Sequence, residues 1–150
     1  MTDNPPTPEP GSTGSDHAKR FGLHLMHTML RVRDLERSID FYTRILGMNL
    51  LFKQDYPDGR FSLAFVGYVD AWHKPSIELT HNWDQEEDYS KGSGYGHIAI
   101  GVQSVHATCE MLSAEGVSVP RPPGPMKHGT INIAFCEDPD GYPIELVQRA

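Results

Sequence analysis

Positive charge, cysteine and long apolar runs are all scarce in this chain of 150 residues. Thirteen Lys and Arg stand against 20 Asp and Glu, for a formal net charge of −7. That balance argues against nucleic acid or an anionic membrane as a partner, since both require a basic patch. It leaves room for a small anionic substrate held by a few local cations. The two cysteines, Cys109 and Cys136, are too few for a disulfide framework and suit a reducing compartment. No CxxC zinc spacing is present. No segment approaches the ~20 apolar residues of a membrane helix. The chain does not open on a basic stretch followed by an apolar one, as a signal peptide does. These absences predict a cytoplasmic protein.

Apolar residues are also nearly missing from the first twenty positions, where only Met1 and Ala18 qualify. Residues 1–22, rich in Pro, Gly, Ser and Thr, cannot bury enough apolar surface to offset the entropy of ordering. They are expected to form a disordered extension to one folded domain over 23–150.

Within that domain one pattern occurs twice. His24 to Val32 alternates like a strand. Asp34 suits a helix N-cap, and Leu35, Ile39, Tyr42 and Leu46 come next at helical spacing, up to Gly47. Met48 to Gln54, Phe61 to Val69 and Ser76 to Asn82 read as three further strands, with Asp58-Gly59 as a turn. The second half reads the same way. His97 to Val102 is a strand, Ser104 an N-cap, and Val105, Cys109 and Leu112 form one helix face that ends at Gly116. Val117 to Val119, Ile131 to Cys136 and Pro143 to Val147 read as short strands, the last after a turn at Asp138-Pro139-Asp140-Gly141. The predicted class is α+β, with two tandem βαβββ modules at about 24–83 and 94–148.

The two copies also agree in chemistry. His27 to Val32 corresponds to His97 to Val102, Leu63-Ala64-Phe65 to Ile133-Ala134-Phe135, and Ile77-Glu78-Leu79 to Ile144-Glu145-Leu146. One His and one Glu occupy equivalent places in each copy, 51 and 48 residues apart. Taken alone, a strand histidine is more often a core residue satisfied by a neighbour, and a Glu in Ile-Glu-Leu is more often the solvent-facing position of a strand. Duplication of the pair changes that balance. Carboxylates drawn into a fold need partners, and a divalent cation with neutral imidazoles as co-ligands supplies them. Two nitrogen and two oxygen donors suit a six-coordinate first-row ion with open positions better than a closed structural zinc site.

The segments 27–42 (HTMLRVRDLERSIDFY), 46–48 (LGM), 77–83 (IELTHNW), 95–99 (YGHIA) and 137–146 (EDPDGYPIEL) together resemble the glyoxalase I family of the vicinal oxygen chelate superfamily. The resemblance runs over about 24–148. It implies metal ligands at His27, Glu78, His97 and Glu145, one divalent ion per site, and catalytic roles for Glu145 and Glu78. It implies a homodimer with sites at the subunit interface, each taking His27 and Glu78 from one chain and His97 and Glu145 from the other. The implied substrate is the hemithioacetal of methylglyoxal and glutathione, and the implied product is S-D-lactoylglutathione. Arg31 and Asn82 match positions that hold the γ-glutamyl end of glutathione. Arg121 and Lys127 lie in the loop that contacts its glycyl carboxylate, and Phe65 and Phe135 match a hydrophobic pocket around the metal. Ser93 stands where zinc-dependent relatives carry a further Arg. Only eight residues, Gly67 to Lys74, separate the strand from Pro75, a loop shorter than in many zinc-dependent relatives. By that analogy Ni²⁺ or Co²⁺ is favoured over Zn²⁺. An extradiol dioxygenase or a thiol transferase would share the fold. Glu78, a second carboxylate, argues against the two-His, one-carboxylate iron site of the first.

Overall fold

The computed structural model describes residues 14–68 and 74–149. Its elements run α1 (Gly14–Phe21), β1 (His27–Arg31), α2 (Leu35–Asp40, continued by a wider turn over Phe41–Ile45), β2 (Asn49–Tyr56), β3 (Phe61–Gly67), β4 (Ser76–Asn82), β5 (Ile98–Val102), α3 (Val105–Ala114), β6 (Arg121–Pro125), β7 (Asn132–Glu137) and β8 (Pro143–Gln148). The strands form two four-stranded sheets of identical order, β1-β4-β3-β2 and β5-β8-β7-β6. In each, the first strand pairs parallel to the last and the remaining pairs are antiparallel. The duplicated pattern is thus a duplicated structure: an α+β fold of two βαβββ modules.

Both N-caps form as their sequences predict. Asp34 Oδ1 accepts from the amide of Arg37 at 3.0 Å, and Ser104 Oγ accepts from that of Ala107 at 3.2 Å. After Asp40 helix α2 widens, and the Leu46 amide donates to the Phe41 carbonyl five residues back at 3.0 Å. The wider turn leaves the adjacent Phe41 and Tyr42 both buried.

Three expectations are corrected. Val117 to Val119 is not a strand: Val117 and Val119 pack against the core, and the edge strand is Arg121–Pro125 instead. Three of its five residues are prolines, which lack an N–H and are tolerated at an edge; the ladder slips between Arg121 and Gly124. The Arg121 guanidinium closes the hairpin by donating to the Ile133 and Pro125 carbonyls at 2.7 and 2.9 Å. The first strand begins at His27 rather than His24. Finally, residues 14–21, expected to be structureless, form helix α1. Asp16 in its first turn and Lys19 and Arg20 in its last complement the helix dipole. Gly22, at φ 66°, ends it. Residues 1–13 and Val69 lie outside the described residues.

Each sheet buries one face. Ala64, Val66, Ile77 and Leu79 of the first and Ala134, Cys136, Ile144 and Leu146 of the second join Tyr42, Val105 and Leu112 in one core. Alternation along the strands turns His27, Met29, Phe65, Glu78, Thr80 and Asn82, and likewise His97, Phe135 and Glu145, to the opposite, open faces. No helix among the described residues is long and apolar enough to cross a membrane.

The turn between β7 and β8 ties the modules together. Asp138, 5% exposed, accepts from the Tyr42 hydroxyl at 2.9 Å and from the amides of Tyr142 and Asp140 at 2.8 and 2.9 Å. Asp140 accepts from the Arg33 amide at 2.9 Å, and the Tyr142 hydroxyl donates to the Arg31 carbonyl at 2.8 Å. Burial raises the Asp138 carboxyl above its ordinary range, against the hydrogen bonds that favour its ionised form. Burial, then the charge of Asp138, holds the Tyr42 phenol well above its own, so it stays a donor. Tyr42→Phe leaves one Asp138 oxygen without that donor and should cost about 1–3 kcal/mol. Thermal unfolding should show this as a drop of about 2–4 °C per kcal/mol. An unchanged Tm would show that the bond contributes nothing net.

Candidate metal centre

Parallel pairing of the first and last strand in each module sets the register that assembles the site. Met29 lies opposite Glu78 and Ala99 opposite Glu145. His27 and His97 sit two residues earlier, at the head of the edge strands. Their rings reach diagonally to the glutamates: His27 Nε2 lies 2.9 Å from Glu78 Oε2, and His97 Nε2 lies 3.1 Å from Glu145 Oε2. Antiparallel pairing on the other side places Phe65 opposite Glu78 and Phe135 opposite Glu145. Each phenylalanine meets its histidine edge to face, with centroids 5.1 and 5.3 Å apart. The glutamate side chains are mostly covered, at 18% and 17% exposure.

Each half-site is thus a histidine and a glutamate converging beside an aromatic ring. Within one chain the halves stay apart: no group of three or more His, Cys, Asp or Glu among the described residues could enclose a metal ion. The four predicted ligands come together two by two. Imidazole nitrogen with carboxylate oxygen fits a divalent first-row cation, and each pair supplies half of a usual coordination shell.

The other predicted residues are more dispersed. Arg31 lies exposed at the end of β1. Asn82, on the Glu78 face, donates to the Tyr89 hydroxyl at 3.0 Å. Arg121 is committed to the β6–β7 hairpin, and Lys127 is exposed at that hairpin's tip. A cleft of about 380 Å³ opens between the edges of the two sheets, lined by Thr28, Tyr68, Ile98 and Ala99 among others; neither His–Glu pair lines it. Cys109 and Cys136 are buried. Burial, followed by the neighbouring Cys109, pushes the Cys136 thiol up to about 12, far from a reactive thiolate.

Sequence reasoning missed two contacts to the site. Tyr89 engages Asn82 from the linker between the modules. Thr80 Oγ1 donates to Glu78 Oε1 at 3.2 Å. The signal for Thr80 was available: it is a hydroxyl residue where the second copy carries Val147.

Known proteins share this architecture. Residues 24–146 match the Glyoxalase/Bleomycin resistance protein/Dioxygenase superfamily. A probable lactoylglutathione lyase of Synechocystis sp. is 57% identical over 128 residues, spanning 85% of this chain and 97% of its own. Maize glyoxalase I superposes with a TM-score of 0.79 at 42% identity; the match covers 84% of this chain but 44% of the maize chain, so this chain spans less than half of that one. The trypanothione-dependent glyoxalase I of Leishmania major superposes at 0.73 with 40% identity, covering 84% and 86% of the two chains. The chain is an enzyme of that superfamily and belongs to its lactoylglutathione lyase, or glyoxalase I, family.

Proposed function

We propose that the chain isomerises the hemithioacetal of methylglyoxal and glutathione to S-D-lactoylglutathione. The observation that carries this reading is the repeated His–Glu pair beside a phenylalanine on each open sheet face. The reaction moves a proton from the carbon bearing sulfur to the adjacent carbon, through an enediolate with charge on two vicinal oxygens. A divalent cation, when bound, supplies electrostatic stabilisation of that charge. His27, Glu78, His97 and Glu145 would hold it.

Glu145 is the principal base. Spontaneous addition of the thiol gives both hemithioacetal epimers, whose transferable protons lie on opposite faces, so one fixed base cannot serve both well. Glu78 takes the related role on the second face. Arg31 and Asn82 bind the γ-glutamyl end, Arg121 and Lys127 lie towards the glycyl carboxylate, and Phe65 and Phe135 keep the reacting carbon away from bulk water. Arg121 carries a full charge beyond its two carbonyl bonds, so its structural role does not remove it as an anion contact.

The working unit in this reading is a homodimer. Two donors per face leave each half-site incomplete, and a second copy of the chain supplies the complement. Apolar side chains are also left exposed: Phe21, Leu23, Leu25 and Met26 precede β1, and Met29 lies on its open face. Such a run marks an interaction surface. Cytoplasmic location and a dispensable stretch over residues 2–20 complete the reading. Deleting residues 2–20 should leave activity within about twofold, because the proposed donors begin at His27 and proton-transfer machinery, not tail length, sets the rate.

The test is direct. Thioester formation from methylglyoxal and glutathione, monitored by ultraviolet absorbance, should appear with the native protein and vanish after chelation. It should return on adding metal, more fully with Ni²⁺ or Co²⁺ than with Zn²⁺. No thioester from fully metallated protein overturns the reaction. Equal or greater turnover with Zn²⁺ overturns the metal preference alone.

A further inference from the structure

The two half-sites share their His, Glu and Phe, and they differ two residues beyond the glutamate. Ile77-Glu78-Leu79 corresponds to Ile144-Glu145-Leu146, so Thr80 corresponds to Val147. Both lie two residues beyond their glutamate and share its open face. Both have paired strands on each side: Thr80 pairs with Arg31 and Leu63, Val147 with Gly101 and Ile133. The backbone settings are equivalent and the chemistry is not. Thr80 Oγ1 donates to Glu78 Oε1 at 3.2 Å while His27 Nε2 lies 2.9 Å from Oε2, so both oxygens of Glu78 are engaged. Glu145 meets His97 through Oε2 at 3.1 Å, and Val147 has no hydroxyl to offer the other oxygen.

We infer that Thr80 is a positioning residue that restrains Glu78, while Val147 leaves the second oxygen of Glu145 without such a restraint. This rests on the proposed donor set and deepens it by separating the roles of two glutamates that duplication would make equal. A β-branched side chain on a strand pinned from both sides has little freedom at χ1, so the backbone sets the direction of the Thr80 hydroxyl. A group that hydrogen-bonds a metal-ligating side chain orients it, and its loss typically costs 10–100-fold in metal affinity. For Glu145, the principal base of the proposed reaction, the same restraint would be a handicap. It must turn toward the substrate carbon, take a proton and give it back. One methyl in place of one hydroxyl gives it that freedom.

The test uses full-length, metal-stripped protein carrying Thr80→Val, Thr80→Ser, Val147→Thr or Glu78→Ala. Ni²⁺ affinity is read by competition with a chromophoric chelator in the absence of substrate, and kcat and KM are read separately. Thr80→Val should weaken Ni²⁺ binding by roughly 10-fold or more, and Thr80→Ser, which keeps the hydroxyl, should restore it to within about twofold. Val147→Thr should bind Ni²⁺ at least as tightly. Its kcat should fall by about 10-fold, part of the 10²–10⁴ that positioned proton transfer contributes, with KM unchanged. Native Ni²⁺ affinity in Thr80→Val, alongside its loss in Glu78→Ala, overturns the role of Thr80 and leaves the donor set standing. Full affinity in Glu78→Ala overturns the donor set and this inference together. Unchanged kcat in Val147→Thr overturns the freedom assigned to Glu145.

Discussion

Replacing Glu145 with Gln should lower kcat by at least ~10²-fold, the usual range for loss of a general base. The substitution keeps the size of the side chain and one oxygen able to approach a cation, and it removes most of the basicity. Glu145 lies on the open face with its carboxylate mostly covered, beside His97 and opposite Phe135. In the proposed role its carboxylate would face a substrate carbon held against the sheet. Glu78→Gln should be the milder change when an epimer mixture is supplied, because the second base remains. Metal content must be measured beside the rate in both variants, since lost metal imitates lost base. A fully metallated Glu145→Gln protein with near-native turnover would remove Glu145 from its assigned role.

His27→Ala and His97→Ala should each be nearly inactive alone, and their co-expression should restore activity. Each substitution destroys one half-site and leaves the other intact. In a homodimer that builds every site from complementary halves, either variant spoils both sites. A mixed dimer places both lesions in one site and leaves the second whole. Restoration should therefore scale with the fraction of heterodimer, resolved by two affinity tags. Confirmed heterodimers with no recovered activity would show that the sites are not shared between chains. The separation of the two His–Glu pairs within one chain motivates this expectation.

Much of this arrangement was legible in the sequence because it is local or repeated. The Asp34 and Ser104 caps, the strand alternation around Glu78 and Glu145, and the matching His27 and His97 each depend on a few neighbouring residues or on comparing one half with the other. Other features escaped for physical reasons. Arg121–Pro125 pairs as a strand although three prolines erase its usual signature, since an edge strand needs few donors of its own. Helix α1 forms in a segment whose composition suggested none, and its end charges, Asp16 against Lys19 and Arg20, complement the helix dipole. Tyr42 and Asp138 are 96 residues apart in sequence, and nothing in either neighbourhood announces the other. Thr80 was visible only as a break in the repeat, and its meaning required knowing where its hydroxyl points.

The Asp138 turn carries a consequence for assembly. Its bonds join residues of both modules of one chain, and so hold the angle between the two open faces. The rotational freedom of one module relative to the other has already been given up. In the proposed homodimer two such chains would meet as rigid bodies, and the ordering that would otherwise weaken association would not be charged to it. A chain whose turn was loosened could keep every donor and every sheet intact and still associate poorly, because its two faces would no longer hold a common angle.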